Sequence, residues 1–323
     1  MITVSIAIPC YRSADTIEAV VNEIISAFDG QEKYDYQIIL VNDYPADRTF
    51  SVIKQLCQND PKIIGLNLSR NFGQTSAKMA AIPYADGDVL VFMDDDGQHP
   101  AQGIFMLADK VLEGYDIVYA YFKHKKHSLF KRITSRIHAK LSEINGVKAK
   151  GIHISSFFAV SRFAIDAFRE YNSPFPSMGA YLNSLSDRAA EIEMPHQNSV
   201  KNSSGYTFKR MWNLWLTGFT NFSVTPLRFI MATGGCLSLI GAVMGIVKLI
   251  IKLASPQAYT GYSTETVLLL LIGGLILLAV GFVGEYIGRI YMTVSHKKPY
   301  QIREAVNTDI KHNNKSLSIE KSS

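Results

Sequence analysis

Residues Val89 to Pro100 read Val-Leu-Val-Phe-Met-Asp-Asp-Asp-Gly-Gln-His-Pro. An apolar run stops abruptly in three carboxylates, Asp94, Asp95 and Asp96. A short apolar run with turn residues behind it indicates a buried strand. Carboxylates at its carboxyl end stand at the rim of an open α/β sheet, where ligands bind. Residues two apart on an extended backbone point the same way, so Asp94 and Asp96 are expected to face one side together. Two hard oxygen donors suit Mg²⁺ or Mn²⁺, which keeps its other positions for water and substrate phosphates. A solvated acidic turn is the competing reading of the same residues.

Such a loop needs a sheet to position it. The first 120 residues alternate between strand and helix patterns. Strands are expected at Thr3–Ile8, Gln37–Val41, Ile63–Leu68, Val89–Met93 and Ile117–Tyr119. A helix capped by Asp15 or Thr16 carries Val20, Val21, Ile24, Ile25 and Phe28. Others are expected at about Arg48–Cys57, Phe72–Tyr84 and Ala101–Gly114. This alternation argues for an α/β fold, a mostly parallel sheet with helices on both faces. Each strand ends in a loop with chemical character: Pro9-Cys10-Tyr11-Arg12-Ser13, Val41-Asn42-Asp43-Tyr44-Pro45 and Ser69-Arg70-Asn71-Phe72-Gly73. Gathered at one sheet edge, an aromatic ring, a carboxylate, an arginine and a metal can stack a base, accept its N–H groups and bind a diphosphate. No Gly-x-Gly-x-x-Gly follows the first strand and no Walker-type loop is present, which disfavours a dinucleotide cofactor.

The 323 residues suit about two domains, and 47% apolar residues, 19% charged residues and a net charge of +5 are ordinary for a globular chain. Charge is spread through 1–210 and is sparse between Arg228 and Lys297. Residues 2–8 read as a first strand, so no signal peptide is expected. Cys10, Cys57 and Cys236 show no pairing or metal spacing, which suits free thiols facing a reducing cytosol. Phe229–Val247 and Thr266–Gly284 are uncharged runs of 19 residues each, about long enough to cross a bilayer; a buried hairpin is the alternative. Lys209, Arg210 and Arg228 before the pair, and Arg289, Lys297, Lys298 and Arg303 after it, place both chain ends in the cytoplasm by the positive-inside rule, although Lys248 and Lys252 argue weakly the other way. Between Tyr206 and Phe222, residues Phe208, Met211, Trp212, Trp215, Phe219 and Phe222 share a helical face, which fits a helix in the headgroup layer or one packed on a core. Residues 121–140 hold seven lysines and arginines and no acid over an apolar helical stripe, which favours an anionic membrane surface; exposed aromatics interleaved for nucleic acid are missing.

The chain resembles the family 2 glycosyltransferases of the GT-A fold, in the dolichol-phosphate mannose synthase-like branch that glycosylates polyprenyl phosphates. The motifs that carry the likeness are Ile8-Pro9-Cys10-Tyr11, Val41-Asn42-Asp43, Leu68-Ser69-Arg70-Asn71-Phe72-Gly73, Met93-Asp94-Asp95-Asp96-Gly97-Gln98-His99-Pro100, Ser204-Gly205-Tyr206-Thr207-Phe208-Lys209 and the apolar hairpin. They span roughly residues 1–305. The resemblance implies a GT-A domain over 1–205, an interfacial helix over 206–226, two membrane helices at about 228–250 and 266–288 within 227–291, and a cytoplasmic tail over 292–323 with a disordered end. It implies a nucleotide-sugar donor contacted by Pro9, Tyr11, Asp43, Arg70, Asp94 and Asp95. Asp94 and Asp96 would hold Mg²⁺ or Mn²⁺ and, with Gln98, serve catalysis. Lys131, Arg132 and Ser135, with Lys123, would bind the phosphate of an undecaprenyl-type acceptor. Inversion at the sugar carbon, a bacterial inner-membrane location and cell-envelope glycan modification follow from the same likeness; a homo-oligomer is left open.

The sequence also departs from the family. Ser155-Ser156-Phe157-Phe158 stands where relatives often carry Gly-Asp-Phe-Arg, Phe122 stands where an arginine is frequent, and Lys201-Asn202 replaces a frequent arginine and glycine. These changes bear on the sugar pocket and the acceptor site. Transfer to a lipid-linked glycan hydroxyl is the rival activity, but it needs a positioned base and no clear Glu-Asp motif follows Gly179. A processive synthase would carry Gln-x-x-Arg-Trp, which is absent. An inactive nucleotide-sugar-binding membrane protein differs from both enzymes in donor turnover.

Overall fold

The computed structural model describes residues 1–122, 152–171, 178–194, 262–294 and 299–308, with isolated positions between 233 and 254. The first half alternates strand and helix: β1 (Ile2–Cys10), α1 (Ile17–Phe28), β2 (Tyr34–Asn42), α2 (Thr49–Asn59), β3 (Ile63–Leu68), α3 (Gln74–Ala81), a 3-10 turn (Ile82–Tyr84), β4 (Val89–Phe92), α4 (Gln102–Leu112) and β5 (Ile117–Phe122). There follow β6 (Phe158–Ser161), α5 (Arg162–Glu170), α6 (Met178–Leu185), β7 (Ala189–Met194), α7 (Tyr262–Val294) and β8 (Ile302–Val306).

The eight strands form one sheet in the order β7-β5-β6-β4-β1-β2-β3-β8. The pairs β1–β2, β1–β4, β2–β3 and β5–β7 are parallel; β4–β6, β5–β6 and β3–β8 are antiparallel. The expected α/β class with a mostly parallel sheet is what the chain adopts. Alternating strand residues explain why both faces are covered. Ile6, Ile8, Ile38, Leu40, Val89 and Val91 pack with Val20, Ile24, Ile53, Ile104 and Leu107 of α1, α2 and α4. Ala7, Ile39, Val41, Leu90 and Phe92 pack on the other face with Ala77, Ile165 and Leu182 of α3, α5 and α6. Strands buried on both faces read as continuous apolar runs, which is why β1 to β4 were legible. After β3 the chain crosses β1 to form β4 on its other side, so strand order reverses between β1 and β4. The carboxyl ends at such a reversal leave a crevice for ligand.

Two expectations change. Strand β4 ends at Phe92, and Asp95 and Asp96 lie in a turn. The side-chain alternation of an extended backbone therefore does not extend through the Asp triplet. The segment 292–323, expected as a tail, holds β8, which pairs Gly65 with Val306 and Leu66 with Ala305. Its alternation was too short to stand out beside a polar terminus, and its partner strand is over 230 residues away. The Asn307 amide, in the left-handed region at φ 60°, donates to the Cys57 carbonyl at 2.6 Å and the Ile63 carbonyl at 2.9 Å. Removing that amide in Asn307→Ala is expected to lower stability by about 2 kcal/mol, at roughly 1 kcal/mol for each hydrogen bond. A thermal unfolding scan beside wild type checks this.

Contacts divide the chain into two compact units, Met1–Tyr206 with Lys297–Ser323, and Thr207–His296. The second contains α7, a helix of 33 residues. Among the described residues no helix is long and apolar enough to cross a membrane, so the two expected spans are not established by the fold. The interfacial helix over 206–226 lies outside the described residues, as does the first span apart from isolated helical positions.

Candidate active site

The carboxylates of the Asp triplet take three different directions. Asp94 is held on both oxygens: Gln74 Nε2 donates to Oδ1 at 2.7 Å and Ser156 Oγ donates to Oδ2 at 2.5 Å. Its backbone N–H donates to His99 Nδ1 at 3.0 Å, which puts the ring proton of a neutral imidazole on Nε2. His99 is 7% exposed, and its ring lies nearly parallel to Phe157 and Phe122, with centroids 4.7 and 5.9 Å away. A buried, stacked ring with one nitrogen accepting from the loop backbone is a positioning device for Asp94. Asp95 turns the opposite way. Its Oδ2 accepts from the Tyr11 N–H at 3.1 Å and from the Ser13 hydroxyl, joining the β4 loop to the β1 loop across the crevice. Asp96 Oδ1 accepts from the Gln98 N–H at 3.1 Å within the turn. Gly97 sits there at φ 73°, a conformation that costs side-chain-bearing residues free energy.

The β1 and β2 loops meet beside it. The Tyr11 ring, 45% exposed, packs edge-on to Tyr44 with centroids 5.1 Å apart. The Arg12 guanidinium lies 4.7 Å over the Tyr44 ring and donates to its hydroxyl at 3.1 Å. An exposed aromatic pair with a cation beside it can stack a base and meet a phosphate. Pro9 is buried within β1, in register with Val41. Asp43 is 3% exposed, and its two oxygens accept from the Phe72 N–H at 2.7 Å and the Gly73 N–H at 2.8 Å. Burial pushes its carboxyl above the usual carboxylate range and those two bonds oppose the shift. Here Asp43 fastens the β3 loop to the β2 end. That loop presents Arg70, exposed, with its guanidinium 4.4 Å over the Phe72 ring, and Gly73 at φ 92° immediately before α3.

Residues Pro9, Tyr11, Asp43, Arg70, Asp94, Asp95, Asp96 and Gln98 thus lie on the carboxyl ends of β1 to β4 and the loops behind them. Lys123, Lys131, Arg132 and Ser135 fall outside the described residues. Gln74 and Lys78 were not singled out from sequence, and Ser156 stood out only as a departure from the family's acid, because the contacts that join these residues to the site are long-range and have no local pattern. Lys78 is 6% exposed. Its ammonium donates to the Ser156 carbonyl at 3.0 Å and stands 5.3 Å from the Phe158 ring centre, the position where relatives often carry arginine. Burial holds its pKa below the usual lysine range, and Asp94 acts against that.

Among the described residues no group of three His, Cys, Asp or Glu side chains converges as a metal cage. The donors nevertheless fit a divalent ion held in the Mg²⁺ manner, by one or two carboxylates with water and substrate phosphate completing the sphere. Each Asp94 oxygen gives one lone pair to a neutral donor and retains another.

The family model described as glycosyl transferase family 2 matches residues 5–169, about half of the chain. The chain belongs to glycosyl transferase family 2. A second model, described as the GtrB C-terminal hairpin, matches residues 225–290 of this glycosyltransferase. An undecaprenyl-phosphate 4-deoxy-4-formamido-L-arabinose transferase of Aeromonas hydrophila subsp. hydrophila is 30% identical over 310 residues, covering 94% of each chain. An uncharacterized glycosyltransferase, YkcC, of Bacillus subtilis is 29% identical over 304 residues, covering 93% of each. Among solved structures, glucosyl-3-phosphoglycerate synthase from Mycobacterium tuberculosis in complex with uridine diphosphate aligns with a TM-score of 0.48 at 17% identity, covering 67% of this chain and 76% of that one.

Proposed function

We propose that this glycosyltransferase moves the sugar of a nucleotide-sugar, with inversion, onto a polyprenyl phosphate of the undecaprenyl type at the cytoplasmic face of a bacterial inner membrane. The observation that carries the reading is the convergence of Tyr11, Arg12, Arg70 and the Asp triplet on the β1–β4 crevice, in a chain whose relatives along nearly the whole length include undecaprenyl-phosphate sugar transferases. Tyr11 and Tyr44 stack the base. Arg12 and Arg70 meet the diphosphate. Asp94 and Asp96 hold Mg²⁺ or Mn²⁺, which when bound offsets the charge that develops on the leaving diphosphate. Asp94 is kept in one rotamer by Gln74 and Ser156, so little reorganisation is needed as the sugar–oxygen bond breaks.

The acceptor phosphate is largely ionised near neutral pH, with a second pKa near 6 by analogy with phosphorylated side chains. It therefore attacks without a strong general base, and alignment becomes the protein's main task. Lys123, Lys131, Arg132 and Ser135 take the acceptor phosphate in this reading. Membrane anchoring is supported by the uncharged runs Phe229–Val247 and Thr266–Gly284. The apolar side chains of α7, with Leu269 75%, Ile276 58% and Ile290 62% exposed, also call for a lipid cover.

The test uses the full chain in lipid nanodiscs with undecaprenyl phosphate, Mn²⁺ or Mg²⁺, and a panel of UDP-, GDP- and dTDP-sugars. Nucleoside diphosphate release that requires both lipid and metal, with a new glycolipid, is the expected result. Release that requires a glycan hydroxyl instead of the lipid phosphate, or no turnover of any donor, would overturn it.

A further inference from the structure

A cavity of about 120 Å³ opens beside Asp94, between helices α3 and α6 and the end of strand β5. Its apolar walls include Ile154, Phe158, Met178 and Leu182, and its polar lining includes Thr75, Lys78 and Tyr119. Two of these groups are anomalous for a cavity wall. The Tyr119 hydroxyl is fully buried and has no hydrogen-bond partner among the described residues, in a side chain 2% exposed. A buried hydroxyl left without a partner costs free energy. The Lys78 ammonium has three donors. The Ser156 carbonyl takes one of them, and no described carboxylate forms an ion pair with it. A buried cation without an anion is costly in the same way, and more so.

Lys78 and Tyr119 both line one space, and that space adjoins, through Gln74, the carboxylate assigned to the donor diphosphate. Gln74 both lines the cavity and donates to Asp94 Oδ1. Ser156, whose carbonyl receives Lys78, donates its hydroxyl to Asp94 Oδ2. A group in the cavity is therefore next to Gln74, which holds Asp94, on the side where the sugar of a donor with its diphosphate at Asp94 can reach.

We propose that this cavity is a subsite for a carboxylate on the donor sugar, a uronate-type substituent, paired with the Lys78 ammonium and the Tyr119 hydroxyl. The inference rests on the nucleotide-sugar reading above and adds the class of sugar to it. A carboxylate supplies two oxygens, one for Lys78 and one for Tyr119, and the cavity of about 120 Å³ holds such a group with room to spare. A hydroxymethyl group fills the same space without a charge for the ammonium.

The test measures binding to the full chain in nanodiscs with Mn²⁺. The probes are UDP, GDP and dTDP alone, matched pairs of their sugars that differ only in a C6 carboxylate or C6 hydroxymethyl, and undecaprenyl phosphate alone. At least one nucleoside diphosphate is expected to bind, and its uronate donor to bind about tenfold or more tighter than its neutral partner. Lys78→Met, close in volume, is expected to erase that preference, read as the ratio of uronate to neutral donor affinity within the variant so that any change in nucleoside diphosphate affinity cancels. Tyr119→Phe is expected to reduce the preference about threefold, and a thermal scan shows that both variants fold. Absence of any nucleotide binding would remove the underlying reading and the subsite together. Nucleotide binding without a uronate preference, or a preference that survives Lys78→Met, would overturn the subsite alone. If Lys78→Met instead weakens undecaprenyl phosphate, the cavity belongs to the acceptor and the proposal is wrong.

Discussion

Asp96→Asn is expected to lower metal-dependent glycosyl transfer by about a thousandfold or more while leaving the fold intact. The two effects separate because the residue has two separable roles. The side-chain carbonyl of asparagine still accepts the Gln98 N–H that closes the turn, so the loop keeps its shape. The negative charge that attracts a divalent ion is gone, and with it the several kcal/mol that a metal contributes to stabilising a departing diphosphate; every 1.36 kcal/mol is a tenfold change in rate. Nucleoside diphosphate release in lipid nanodiscs measures the loss, and a thermal scan run beside it should show no shift. Wild-type turnover in this variant would sink the assignment of the metal site.

Asp43→Ala should act first on the fold and through it on donor binding. The carboxylate is buried and accepts two backbone N–H groups, so the substitution leaves both of them unmet, at a cost of about 3 kcal/mol. The β3 loop with Arg70 and Phe72 is fastened to the sheet edge through these bonds. Losing them should therefore raise the dissociation constant for the nucleoside diphosphate by an order of magnitude, even at temperatures where the variant is fully folded. Titration calorimetry with UDP or GDP well below the unfolding temperature distinguishes this from general destabilisation. Unchanged affinity would mean that the loop holds its position without Asp43 and that the residue has no influence on the donor.

Both predictions concern residues that stand out in the sequence, and the structure alters how each acts. Asp94 and Asp96 looked like one pair on a strand. The strand stops at Phe92, and Gln74, Ser156 and His99 then fix Asp94 separately from Asp96. Asp95, expected to contact the donor, ties the β4 loop to Tyr11 and Ser13. Ser156 looked like the loss of a family acid, yet its hydroxyl holds the Asp94 carboxylate. Apart from His99, five residues from Asp94, these pairings have no local signature, since the partners lie 20 to 84 residues away in the chain.

The sequence by itself determined the α/β class, the first five strands and the loops that carry the chemistry. Those strands are buried on both faces, so burial imposes an apolar run that can be read without knowing the partners. It also contained the motifs that place the chain among the family 2 glycosyltransferases. Only the tertiary structure decided that the C-terminal segment returns as strand β8, that Asp95 and Asp96 lie in a turn, and that Lys78 and Tyr119 share a cavity beside the triplet. Those facts depend on which distant backbone and side-chain groups satisfy one another once the sheet is assembled. Hydrogen bonds and buried charges choose their partners by proximity in space, and a pattern along the chain records proximity only for near neighbours.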